Sequence, residues 1–139
     1  MQMTRESEYA LMGLSHLAKQ PSGVIISLGD LAAVNDLPAS FLAKIFDKLV
    51  RHGLVVSHRG PGGGVALERD PSSIPVLDIL EAIEGPRVLN RCLIWQGHCA
   101  DTDPCPLHEW VHALVPKVES ILQELTLADF AERRPGVQV

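Results

Sequence analysis

The apolar positions of this chain follow a helical rhythm interrupted by proline and glycine. Ala10, Leu11, Leu14, Leu17 and Ala18 recur on one helical face, with Thr4 as N-cap and Pro21-Ser22-Gly23 as the stop. Val24, Ile25 and Ile26 predict a short extended piece. Ser27 caps a second helix, with Asp30 in its first turn, Leu28, Leu31 and Ala32 facing inward and Asn35-Asp36 closing it. Pro38 opens a third helix, where a missing N–H costs nothing. Leu42, Ile45, Phe46 and Leu49 form its buried stripe, Gly53 ends it, and Ser40, Ala43, Lys44, Asp47, Lys48 and Arg51 occupy the opposite face.

Two short helices joined by a turn, the second with a cationic exposed face, make a helix-turn-helix. Many helical hairpins of this kind bind nothing, and the stretch after Gly53 sets this one apart. Residues 54–59 read as a strand, 60–64 as a turn and 65–69 as a returning strand, a hairpin wing with Arg59 at the head of a glycine-rich tip. Glycines such as Gly62 and Gly63 let a tip approach a phosphate backbone or enter a narrow minor groove. The GPGGG run lacks the Lys-Ser/Thr of a P-loop and the strand–turn–helix setting of a dinucleotide fingerprint. Ser72 or Ser73 then caps a helix with Val76, Leu77, Leu80 and Ile83 as its apolar face, broken by Gly85-Pro86. From Pro104 a long helix carries Leu107, Trp110, Val111, Leu114, Val118, Ile121, Leu122 and Leu125 in near-heptad rhythm, with Pro116 predicting a kink. Few large residues remain to cover that stripe, which predicts pairing with a second copy.

The resulting fold class is mainly α with a small β-hairpin wing: a winged helix-turn-helix plus a long dimerisation helix. Residues 1–85 form the DNA-binding domain and 86–106 a cysteine-rich loop. Residues 107–130 hold the dimerisation helix and a short last helix (126–131), and 131–139 a disordered tail.

Composition changes this picture little: 46% hydrophobic and 21% charged residues describe an ordinary globular chain of 139 residues. No apolar run is long enough to span a membrane and the N-terminus is no signal peptide, which predicts a cytoplasmic protein. The net charge of −5 looks wrong for a nucleic-acid partner. Its distribution corrects that impression. Between Pro38 and Arg69 stand Lys44, Lys48, Arg51, Arg59 and Arg69 against only Asp47 and Glu68.

The candidate chemistry lies in residues 91–108, RCLIWQGHCADTDPCPLH. Cys92, Cys99 and Cys105 are all the cysteines of the chain, and His108 follows in a C-x6-C-x5-C-x2-H pattern. Three thiols and an imidazole this close are a metal-ligand constellation. Structural zinc prefers tighter knuckles, whereas wide gaps suit the wrapping of an iron–sulfur cluster. A zinc-stabilised DNA-binding or interaction module is the alternative. A thiol-redox enzyme is disfavoured, because no C-x-x-C pair is present.

The order of elements, the wing sequence SHRGPGGGVAL (57–67), the helix LDILEAIEG (77–85) and the three cysteines before a long helix closely resemble one family. It is the IscR/NsrR/RirA group of bacterial dimeric iron–sulfur transcription regulators, over roughly residues 3–130. The resemblance implies a non-enzymatic homodimer on double-stranded operator DNA, sensing cluster status, redox state or nitric oxide. It implies that Cys92, Cys99 and Cys105 hold the cluster, with His108 completing an IscR-like 2Fe–2S site. It also implies Ser40 and Lys44 in the major groove and Arg59 in the minor groove; Lys48 and Arg51 are candidate DNA contacts by their place on the exposed face of the same helix. The first cysteine gap is one residue longer than in the IscR pattern. Glu8 matches an acidic residue that completes a 4Fe–4S cluster across the dimer in NsrR-like members, so both fourth ligands are available.

Overall fold

The computed structural model describes residues 3–86, 88–90 and 104–133. Its first helix, α1 (Arg5–Ala18), buries Ala10, Leu11, Leu14 and Leu17 as the spacing predicts. Thr4 holds the N-cap position but does not cap its own helix. Its hydroxyl donates instead to Glu84 Oε1 at 2.5 Å, beside the Thr4 N–H and the Ser7 hydroxyl, each at 2.8 Å. A carboxylate from elsewhere has taken the place of a local cap at the positive end of the helix.

The second helix, α2 (Leu28–Asn35), is capped as expected by Ser27, whose Oγ accepts from the Asp30 N–H at 3.0 Å. It ends at Asp36 in the left-handed region, which a short polar side chain tolerates. The third, α3 (Ala39–Arg51), follows Pro38 and buries Leu42, Ile45, Phe46 and Leu49. Gly53, at φ +71°, turns the chain into β1 (Val55–His58), which pairs antiparallel with β2 (Gly64–Leu67) from Val55 opposite Leu67 to His58 opposite Gly64. The extended piece before α2 acquires a partner the sequence did not reveal. Ile26 bridges Val65 through two backbone hydrogen bonds of 3.0 and 2.8 Å. A Cβ on Gly64 would lie 2.1 Å from the Ile26 carbonyl oxygen, so only glycine admits this close approach.

Neither Ser72 nor Ser73 caps the next helix. Both belong to a 3₁₀ turn, Pro71–Ser73, headed by Asp70. Hydrogen bonds from the Ser72 hydroxyl and N–H hold the Asp70 carboxyl below the usual carboxylate range. The following helix, α4 (Val76–Glu84), starts after Pro75 and buries seven of its residues, Ile79 and Ala82 included, so it is a core helix and not a one-faced one. Around it pack α1 and α3.

The long helix, α5 (His108–Glu124), begins at His108, with Pro104 to Leu107 outside it, and contains Pro116. Val115, Val118 and Leu122 pack against the core, while Trp110, Leu114 and Ile121 are exposed. The last helix, α6 (Leu127–Arg133), opens on a reciprocal cap: the Asp129 carboxylate accepts from the Thr126 N–H at 3.1 Å, and Thr126 Oγ1 from the Asp129 N–H at 3.2 Å. Backbone bonds Val76 N–H to Leu125 O and Leu127 N–H to Ile74 O, both 2.8 Å, tie it to the start of α4. It packs on α1, with Leu127 and Ala131 buried. The tail expected over 131–139 is therefore helical at its start, because Ala131 has a core to enter; 134–139 lie outside the described residues.

Replacing Gly64 by Ala should cost about 1–3 kcal/mol in urea unfolding, the ordinary range for overpacking against atoms that cannot yield. Gly29→Ala, with its nearest neighbour the Ser27 Oγ at 4.0 Å, is the control and should cost nothing. Equal stabilities would remove the steric account of the wing.

Candidate nucleic-acid interface and thiol site

The side of α3 away from the core presents Ser40, Ala43, Lys44, Asp47 and Arg51, all exposed, with Lys48 half-buried at the edge. Their charges are not equivalent. Lys48 Nζ lies 2.5 Å from Glu6 Oε2 on α1, a pair 42 residues apart in sequence. Arg51 meets Asp47 at 3.1 Å one turn away, but both side chains are about as exposed as free ones (72% and 69%), so that pair contributes little stability. Lys44 and Arg59 take part in no ion pair among the described residues. Of the five cations of residues 38–69, Lys44 on the helix and Arg59 on the wing are thus the two without a carboxylate partner among the described residues, Arg69 lying 3.9 Å from Asp78.

The wing tip explains its own glycines. Gly60 (φ +90°) and Gly62 (φ +74°) adopt backbone that side chains disfavour, and the Gly63 N–H closes the turn onto the Gly60 carbonyl at 2.9 Å. A Cβ on Gly63 would meet the His58 carbonyl oxygen at 2.3 Å, whereas one on Gly62 would meet nothing within 4 Å. Turn geometry therefore demands glycine at Gly63 before any partner does. Arg59 sits exposed just beyond β1, where this turn begins.

Of the predicted thiol site, Cys105 and His108 are described; Cys92 and Cys99 lie outside the described residues. Cys105 is half-buried, and the His108 N–H donates to its carbonyl at 3.0 Å, so one tight turn puts thiol and imidazole at the mouth of α5. The His108 ring lies against that of His112, tilted by 41° with centroids 4.2 Å apart. Among the described residues no group of three or more metal-ligating side chains converges. Glu8 is exposed on α1, which packs mainly on α2, α3, α4, α6 and β2, whereas α5 packs on α4 and the 3₁₀ turn Val88–Asn90. The two candidate fourth ligands therefore stand on elements that are not principal neighbours within one chain.

Sequence reading missed Glu84. It is 8% exposed, and one oxygen of its carboxylate takes three hydrogen bonds from the start of α1. A signal existed: an acidic residue at the C-terminal end of an apolar helix opposes the helix dipole and needs a partner elsewhere. The identity of that partner, 77 to 80 residues away, had no local signature.

Residues 3–133 match the Rrf2 family, described as an iron-dependent transcriptional regulator. A Mycobacterium tuberculosis protein designated an HTH-type transcriptional regulator is 37% identical over 132 residues, 94% of this chain and 81% of its own. The HTH-type transcriptional regulator IscR of Yersinia enterocolitica is 30% identical over 139 residues, all of this chain and 84% of that protein. Among solved structures, CymR, the global cysteine regulator of B. subtilis, superposes with a TM-score of 0.77 at 28% identity, covering 95% of this chain and 97% of that one.

Proposed function

The chain belongs to the Rrf2 family of transcriptional regulators, and from that premise we propose a homodimeric, winged-helix repressor or activator whose hold on operator DNA answers to an iron–sulfur cluster. It is a regulator and not an enzyme. The observation that carries the DNA half is the pairing pattern of the cations: Lys44 on α3 and Arg59 on the wing have no carboxylate partner among the described residues. In this reading α3 enters the major groove with Ser40 and Lys44 leading, and the wing brings Arg59 into the flanking minor groove. Gly62 offers the tip an open approach with no side chain in the way. Lys44 and Arg59 supply the sequence-independent phosphate attraction, and the helix face supplies base discrimination.

The exposed stripe of α5 supports the pairing of two copies. Leu107, Trp110, Leu114 and Ile121 are 43%, 71%, 52% and 61% exposed and recur at helical intervals. Three large apolar side chains on one face of α5, continued by Leu107 just before its first residue, are costly to leave in water, and a symmetric partner would cover them. Each copy would then present one α3 to each half of a partly palindromic site.

Cys92, Cys99 and Cys105 would hold the cluster by their thiolates, with His108 or Glu8 completing its ligands. The chemistry of the donors fits: three thiols, of which Cys105 is half-buried and adjoined by an imidazole across one turn. Because His108 shares that turn, it favours a 2Fe–2S site; Glu8 would have to arrive from the second copy, as a 4Fe–4S site would require. When bound, the cluster supplies a redox-active group with one weak protein ligand, open to oxygen, nitric oxide or iron shortage. In sequence the cysteines follow α4 and precede α5, so a change at that group would bear on both the core helix and the pairing face.

Three outcomes are expected. On a duplex selected by the protein from a random pool, Lys44→Ala and Arg59→Ala should each lower the slope of log affinity against log salt by about one unit, while Arg51→Ala leaves it nearly unchanged. Unaltered slopes in both variants would exclude the groove assignment. Anaerobically purified protein should contain iron and acid-labile sulfide with visible absorption that Cys105→Ser abolishes; zinc alone would refute the sensor. Finally, Leu114→Asp with Ile121→Asp should sediment as a folded monomer, and an unchanged dimer would move the interface elsewhere.

A further inference from the structure

The first turn of α1 touches two other helices through different residues. Toward α4, the Thr4 N–H, the Thr4 hydroxyl and the Ser7 hydroxyl converge on Glu84 Oε1. Toward α3, Glu6 reaches Lys48 at 2.5 Å, and Tyr9 sets its ring edge-on to Phe41 with centroids 5.9 Å apart. Gly13, one helical repeat further on, lets the Phe46 ring come so close that a Cβ there would lie 2.9 Å from it. Residues 6, 9 and 13 fall on one stripe of α1, so a continuous face of that helix carries α3.

The two attachments differ in rigidity. A carboxylate that is 8% exposed, at the positive end of a helix and with charge-assisted bonds, is held firmly, because parting it from the fully buried Ser7 hydroxyl leaves a buried polar group unmatched. Glu84 is also the last residue of α4, followed by Gly85 at φ +94° and Pro86, where the chain leaves for the cysteine-bearing stretch. The Glu6–Lys48 pair is half-exposed, at 37% and 38%, and its geometry directs the ammonium toward α1 and compensates its charge.

We infer that Glu84, Glu6 and Lys48 are positioning residues: the first turn of α1 transmits the placement of the end of α4 to the recognition helix. Lys48 is a strut between α1 and α3, not a phosphate contact. This rests on the DNA-binding reading proposed for α3 and the wing, and gives it an internal lever. A displacement at the end of α4 moves the start of α1, and α3 follows through Lys48, Phe41 and Phe46. DNA affinity then changes although no DNA-contacting atom has been altered.

The test uses the full chain and the selected duplex. Lys48→Met should weaken binding roughly three- to tenfold with the salt slope unchanged, in contrast to Lys44→Ala. Glu84→Gln, distant from any DNA-facing side chain, should weaken binding by a similar factor. The double variant should be little worse than either alone, since both cut the same connection. Should Glu84→Gln not fold, Ser7→Ala removes one of the three bonds and takes its place in the cycle. A slope lowered by about one unit in Lys48→Met would make that lysine a phosphate contact and overturn the strut. Simple additivity of the two effects would overturn the coupling. Either result, obtained while Lys44→Ala and Arg59→Ala still lower the slope, leaves the regulator reading intact; a wild-type chain that binds no duplex removes both.

Discussion

A single carboxylate joins the beginning of the described chain to its middle. Glu84 is pressed into the start of α1, where unpaired backbone donors and two hydroxyls await an anion. Burial would make that charge costly if it stood alone. Here three donors and the helix dipole offset the cost, and the arrangement is most favourable only with α4 ending at one place. Much of the remaining packing inherits its frame from this contact, because α1 lies against α2, α3, α4 and α6.

The distribution of charge partners decides what the reading head can do. Counting cations along α3 suggests a uniformly basic face; pairing them shows three different situations. Lys48 belongs to α1, Arg51 is loosely balanced by Asp47 in water, and Lys44 stands unpaired among the described residues. The acidic total of the chain therefore says little about the surface that matters. Asp47 and Glu6 lie at or beside that surface, each next to a cation of α3, so their charges are balanced locally and Lys44 is left without a carboxylate partner among the described residues.

Local features were legible in the sequence and distant pairings were not. The buried stripe Leu42, Ile45, Phe46 and Leu49 follows from helical period alone, and the Ser27 cap from a hydroxyl three residues before an acceptor-seeking N–H. Thr4 carried the same local signal, yet its hydroxyl went to Glu84 because a buried anion is the stronger partner. Ile26 was recognisably extended, but its partner Val65 lies beyond two helices. At the thiol site the residue types were informative and the spacing suggestive. The structure adds the turn that sets Cys105 beside His108, while Cys92 and Cys99 lie outside the described residues.

The return of α6 to the core has a consequence for spacing. Thr126 and Asp129 cap each other, Leu125 and Leu127 hydrogen-bond around Pro75, and Leu127 is sealed among the residues that support α1. With α5 also resting on α4 and on the 3₁₀ turn Val88–Asn90, the long helix is not a tether dangling from the reading head. It is a beam built in at its far end. Two copies joined along such beams would have no slack between them, so the distance between their recognition helices would be a property of the fold and not of a linker. The register of half-sites on the DNA would then be set by the angle at which two rigid bodies cross, and a small rotation at that crossing would be enough to put one helix out of phase with its groove.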